Sequence, residues 1–178
     1  MGKAKLVSKR STISTEAVAL PLHCESQREV RAPSDVAFSY LDDHSRLTAH
    51  MSRSSWMMAG ARMKIELDAS LGRAVGSRIR LSGRVLGVPV SVEEVVTERQ
   101  PPLRKVWQTT GVPRLLVIGE YRMGFEITPG GAASVLRVFI DYSLPGTPLA
   151  RWLGGLLAAA YARWCTDSMA DDAAKRFA

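Results

Sequence analysis

The chain has 178 residues, 46% of them hydrophobic and 23% charged, which suits one globular domain with a sizeable core and excludes a disordered or fibrous chain. The formal net charge is +7, but Lys3, Lys5, Lys9 and Arg10 stand in the first ten positions and leave 20 basic against 17 acidic residues elsewhere. So mildly basic a body, without a cationic stripe interleaved with aromatics, excludes specific nucleic-acid binding.

Residues 1–16 read as a basic flexible arm and residues 17–178 as the domain. The arm has no apolar run of the secretory kind, and "MGKAKL" places Leu6 where myristoylation needs Ser or Thr. Cys24 and Cys165 form no CxxC or Cys/His set, so neither a metal site nor a disulfide framework is signalled, and a cytoplasmic, reducing location is expected.

After the arm, "STISTEAVALPLHCESQREVRA" is extended in character, broken at Pro21. "PSDVAFSYLDD" then predicts a short helix, with Pro33 at its start and Asp35 in its first turn, and "HSRLTAHM" a second. From Met63 the period becomes two. Met63, Ile65 and Leu67 alternate with Lys64, Glu66 and Asp68, and Ile79, Leu81 and Gly83 with Arg78, Arg80 and Ser82. Val88, Val90 and Val92 precede a Pro-Pro break, and "LRKVWQTTG" centres a further strand on Trp107.

The clearest alternation is "LLVIGEYRMGFEIT", in which Val117, Gly119, Tyr121, Met123, Phe125 and Ile127 share a face. "PGG" turns the chain, and Leu136, Val138, Ile140 and Tyr142 point inward from the last strand. Consecutive hairpins make the sheet antiparallel. Beyond Pro145 a helix of about two dozen residues is predicted from near Thr147, a residue able to cap it. Its apolar stripe is read as Leu149, Trp152, Leu153, Leu156, Leu157, Ala160, Trp164 and Met169. Between Arg151 and Arg163 the run is too short for a helix that spans a bilayer, which needs about 20 residues.

Two short helices, antiparallel strands with one apolar face and a long helix to cover that face amount to an α+β layer. At this point the chain resembles the SRPBCC superfamily, which includes START-type lipid carriers, Bet v1-like (birch-allergen-like) proteins, coenzyme Q-binding proteins and the polyketide cyclase/dehydrase group. The resemblance rests on "REVRAPSDVAFSYLDD", "VVTERQPPLRKVWQTTG", "GEYRMGFEITPGGAASVLRVFIDYSLPG" and "RWLGGLLAAAYARWC", in that order, and covers about Cys24 to Phe177. It implies a helix-grip fold: a curved sheet of about six or seven strands around the C-terminal helix, two short helices after the first strand, and a cavity for hydrophobic small molecules. It implies no particular reaction, cofactor or metal.

Candidate residues follow from which side chains face that wedge. Tyr40, Trp56, Met63, Trp107, Tyr121, Met123, Phe125, Tyr142, Trp152 and Leu156 are the expected ligand-binding set, aromatic for planar ligands and thioether for adaptable walls. Glu94 is the one weak catalytic candidate: strict alternation turns its carboxylate inward, but a β-bulge at Glu93–Glu94 that returns both acids to solvent is the favoured expectation. His44 and His50, beside Asp42 and Asp43, match no zinc-helix spacing and read as an exposed helix-to-loop region, and His23 reads as part of a polar edge.

Two functions compete. One is binding or transport of a lipid, isoprenoid or polyketide-like aromatic, which needs no catalytic residue. The other is a cyclase or dehydratase, in which a few polar groups in the same cavity move protons. A third use of the apolar helix, peripheral contact with a membrane or partner, stays open through Arg151 and Arg163. Oligomeric state is not legible.

Overall fold

The computed structural model describes residues 20–47 and 63–178. The basic arm, His50, Trp56 and the half of the second predicted helix beyond Leu47 lie outside the described residues. The elements are β1 (Leu22–Val30), α1 (Ser34–Leu41), α2 (His44–Leu47), β2 (Met63–Leu67), β3 (Arg78–Val85), β4 (Val88–Gln100), β5 (Arg104–Arg114), β6 (Tyr121–Gly130), β7 (Ala133–Tyr142) and α3 (Pro148–Arg176).

Seven strands form one antiparallel sheet in the order β1-β7-β6-β5-β4-β3-β2. Every neighbour but β1–β7 is a consecutive hairpin pair, as the alternating segments predicted. Leu136 and Ile140 of β7, Met123 and Phe125 of β6, and Trp107 of β5 all turn to the same, concave side and are buried. Among the strands, β6 departs from the sequence reading at its start: residues 115–120, read as the head of the strand, are a loop, and pairing begins at Tyr121.

α3 lies on the concave side and is held most firmly in its second half. Ser26 Oγ of β1 donates to Asp167 Oδ1 at 2.6 Å and lies 3.1 Å from Thr166 Oγ1, and Arg28 Nε donates to Asp171 Oδ1 at 2.7 Å. Thr147 takes the N-cap position without a side-chain cap, and Pro148 follows at the first turn, where a missing N–H costs nothing.

The face that α3 turns to the sheet corrects the sequence reading. Gly154, Ala158, Ala162, Cys165, Thr166, Met169, Ala170 and Ala173 are buried, whereas Leu149, Trp152, Leu156 and Leu157 are 79%, 66%, 63% and 46% exposed. The physical reason is volume: the concave face already supplies the indole, phenyl and branched side chains that fill the layer, so a helix that approaches it closely must present small ones. A Cβ on Gly154 would stand 2.7 Å from the Val117 carbonyl oxygen and 2.9 Å from Pro145 Cδ, so this turn of α3 lies against the 115–120 loop at a distance only glycine permits.

Candidate functional site

Glu94 follows the alternation of β4 and points into the core, 3% exposed. The favoured expectation of a bulge at Glu93–Glu94 is therefore corrected. The register of β4 against β5 shifts on either side of that dipeptide, between Ser91 and Glu93 and again between Val96 and Glu98, while Glu93 and Glu94 stay in consecutive register opposite Thr110 and Thr109. Glu93 faces out and pairs with Arg80; Glu94 faces in.

The Tyr121 hydroxyl donates a hydrogen bond to Glu94 Oε1. Glu94 Oε2 accepts no hydrogen bond among the described residues and stands 3.4 Å from His44 Nε2. His44 is fully buried, which corrects its reading as part of an exposed region. Its ring meets Trp107 edge-on, with centroids 5.1 Å apart at 81°. Burial, and then the carboxylate of Glu94, push the Tyr121 phenol well above its ordinary pKa, so it remains a donor through the neutral range.

Two neighbouring networks hold His44 in place. Lys105, fully buried on β5, donates from Nζ to the Asp42 carbonyl oxygen at 2.9 Å and pairs with Asp42 Oδ1 at 3.0 Å. Arg99 closes on the same carboxylate, its Nη2 2.8 Å from Oδ2. These contacts satisfy the C-terminal end of α1, where cations are favoured, two residues before the histidine. From the other side, Ser77 Oγ donates to Asp68 Oδ1 at 2.6 Å and accepts from Gly72 N at 3.0 Å, and this loop sets Gly72 against the His44 side chain.

Above the cluster is a cavity of about 40 Å³. Glu94, Trp107, Tyr121 and Met123 come to it from the sheet, Leu115 and Ile118 from the 115–120 loop, and Tyr161, Cys165 and Met169 from α3. Burial pushes the Cys165 thiol up to about 12 and the Tyr161 phenol well above its usual value, so both stay protonated and neutral beside the one carboxylate. An apolar chamber with one carboxylate and several neutral donors can orient a ligand carbonyl or hydroxyl, or exchange a proton with it.

Three of the ten expected binding residues, Trp107, Tyr121 and Met123, line this chamber. Phe125, Tyr142 and Met63 are core residues outside its lining; Phe125 packs edge-on against Phe38, with centroids 5.5 Å apart. Tyr40 sits elsewhere, against Phe177 and beneath Arg46. Trp152 and Leu156 point outward, as described above, and Trp56 lies outside the described residues. Sequence reasoning missed Cys165 and the loop residues Leu115 and Ile118, and it set His44 aside. The one signal that could have found His44 was the inward carboxylate of Glu94, which needs a polar partner from another element.

The sequence matches a family model described as polyketide cyclase / dehydrase and lipid transport over residues 21–177. A comparison with curated protein sequences finds no match. Among solved structures, the protein TTHA0849 from Thermus thermophilus is similar at a TM-score of 0.64 and 15% identity, covering 88% of this chain and 97% of that one. Truncated norcoclaurine synthase from Thalictrum flavum is similar at 0.61 and 17%, covering 87% and 92%. The Zhui aromatase/cyclase from a Streptomyces species is similar at 0.59 and 14%, covering 87% and 94%. These likenesses establish the shared fold.

Proposed function

Because the chain belongs to the polyketide cyclase / dehydrase and lipid transport family, we propose that it binds an apolar small molecule between the sheet and α3, and that Glu94 and Tyr121 receive a carbonyl or hydroxyl group of that molecule. The observation that carries this reading is the Glu94 carboxylate: buried, engaged on one oxygen by the Tyr121 hydroxyl, and met on the other by His44 Nε2 at 3.4 Å with no hydrogen bond among the described residues. A carboxylate placed this way costs stability unless a further polar group completes it. Lipids, isoprenoids and polyketide-like aromatics with a single polar end fit that demand.

The chamber at about 40 Å³ has room for a few waters, whereas sites for drug-sized ligands enclose about 300–1,000 Å³. Binding therefore requires α3 to move outward from the 115–120 loop. Its first half is the part free to do so, because the side chains that tie α3 to β1 come from Thr166, Asp167 and Asp171.

A second reading is favoured by the convergence of Glu94, Tyr121 and His44. In a cyclase or dehydratase, Glu94 would take a proton from carbon next to a carbonyl, and the protonated phenols would donate to the developing oxyanion. Native mass spectrometry of the full chain isolated from its source cell, followed by solvent extraction, tests the binding reading: an apolar compound should copurify. Repeated recovery of empty protein would count against it. Return of an added polyketide-like carbonyl compound with altered mass or ring count would instead establish the enzymatic reading.

A further inference from the structure

Large apolar side chains gather on the surface at the end of the molecule where α3 begins. On α3, Leu149, Trp152 and Leu156 recur at helical spacing on the side opposite the buried Gly154, Ala158 and Ala162. The helix thus carries its small residues inward and its large apolar ones outward, the reverse of what a freely solvated face requires. The sheet brings two further apolar points to the same end. Leu86, 79% exposed, stands at the tip of the β3–β4 hairpin in the left-handed region (φ 51°), where glycine or asparagine is the usual occupant, and Val112, 90% exposed, lies near the end of β5. A groove of about 510 Å³, walled by Val88, Pro89, Val112, Leu116, Leu144 and Ala150, joins hairpin and helix into one surface.

Among the described residues the charge around this surface is predominantly positive. Residues 148–166 hold two arginines, Arg151 and Arg163, and no acid; the segments 83–91 and 111–119 add Arg84 and Arg114 and again no acid. All four arginines are exposed, and among the described residues the one acid walling the groove is the half-buried Glu120. Scattered exposed leucines need no explanation, but a tryptophan–leucine patch rimmed by cations does. A second copy of this chain would bring like charges together at such a face.

We propose that this end, the first half of α3 with the β3–β4 and β5 tips, docks on an anionic lipid surface, with Trp152, Leu149 and Leu156 entering the headgroup boundary and Arg84, Arg114 and Arg151 lying against lipid phosphates. The mode is that of an interfacial helix, which combines apolar burial with electrostatic attraction. It does not depend on which ligand the chamber holds.

Vesicle flotation of the full chain tests it. Vesicles of phosphatidylcholine with a quarter phosphatidylglycerol should carry the protein, vesicles of phosphatidylcholine alone should carry much less, and high salt should release it. The pairs Trp152→Ser with Leu156→Ser, and Arg114→Glu with Arg151→Glu, should each lower binding at least about tenfold while the urea midpoint stays unchanged, since these side chains are exposed. Replacing Lys3, Lys5, Lys9 and Arg10 by glutamine in the full chain should leave most of the binding. The proposal is overturned if neither vesicle binds, if the arm substitutions abolish binding and the α3 substitutions do not, or if sedimentation shows a dimer that Trp152→Ser dissociates.

Discussion

Tyr121 and Glu94 are hydrogen-bonded across a strand that belongs to neither: β5 lies between β4 and β6 in the sheet, and the phenol of one outer strand reaches the carboxylate of the other over the concave side of the middle one. Trp107 lines the chamber from that middle strand, so the polar pair has an indole beside it and one carboxylate oxygen still able to accept.

Removing the phenol should therefore expose the cost of the carboxylate. Tyr121→Phe leaves Glu94 Oε1 without its donor and should lower stability by about 1–3 kcal/mol in urea unfolding. In a Glu94→Leu background the same substitution should cost no more than roughly 0.5 kcal/mol, because no acceptor is then orphaned. Equal costs in the two backgrounds would mean that the hydroxyl contributes by packing alone.

Adjacent glycines of α3 should respond in opposite directions. Gly155 is exposed, with nothing within 4 Å of an added Cβ, so Gly155→Ala should stabilise by about 0.5–1 kcal/mol through helix propensity. At Gly154 the added carbon meets the Val117 carbonyl and Pro145, and Gly154→Ala should destabilise by about 1–3 kcal/mol. Thermal and urea melts of the two single variants decide the matter.

At Lys105 the expected loss is larger. Its amine is fully buried, and burial holds its pKa below the ordinary lysine value although Asp42 works to raise it. Lys105→Met leaves the Asp42 carbonyl without this donor and leaves the Asp42 carboxylate to Arg99 alone, at a cost of about 3 kcal/mol. Combining it with Asp42→Asn should cost less than the sum of the two single changes, measured by urea unfolding.

The two ends of the pH scale should be controlled by different groups. The Cys165 thiol, raised from 9.0 to about 12, keeps its proton in the folded chain while the unfolded chain loses it. Stability is then complete below pH 9 and falls as pH climbs toward 12, with Tyr121 and Tyr161 adding to the fall in the same direction. At the acid end, burial pushes Asp42 up but Arg99 and Lys105 outweigh it and hold it below 3.8, so its contribution is present above that value and lost as pH drops through the lower, folded one. Urea midpoints across the alkaline range should decline less steeply in Cys165→Ala, and native Cys165 should resist iodoacetamide near neutral pH until the chain unfolds.

The fold was legible because β-strand alternation is local. Met123 and Phe125, or Val138 and Ile140, declare their face within a few residues, and the turns that separate the strands carry their own Pro and Gly signals. The helix face was not legible for a related reason: both sides of "WLGGLLAAAYARWC" are apolar, and periodicity cannot choose between Leu156 and Ala158 when the deciding fact is how much volume Trp107 and Ile140 already occupy. The site divided in the same way. Glu94 obeyed its strand, whereas His44 is defined by a partner fifty residues away and by Gly72 and Trp107, contacts that no short window of sequence contains.

The side chains of Ser26 and Arg28 grip α3 at Thr166, Asp167 and Asp171, and that grip works as a fulcrum. Trp152 lies some fourteen residues away, about 21 Å at roughly 1.5 Å per residue, so a tilt of about 10° swings the indole through roughly 4 Å. The same swing would lift Gly154 off Val117 and the roof off the chamber. A pull on the outer leucines of α3 would thereby pry at the space above Glu94.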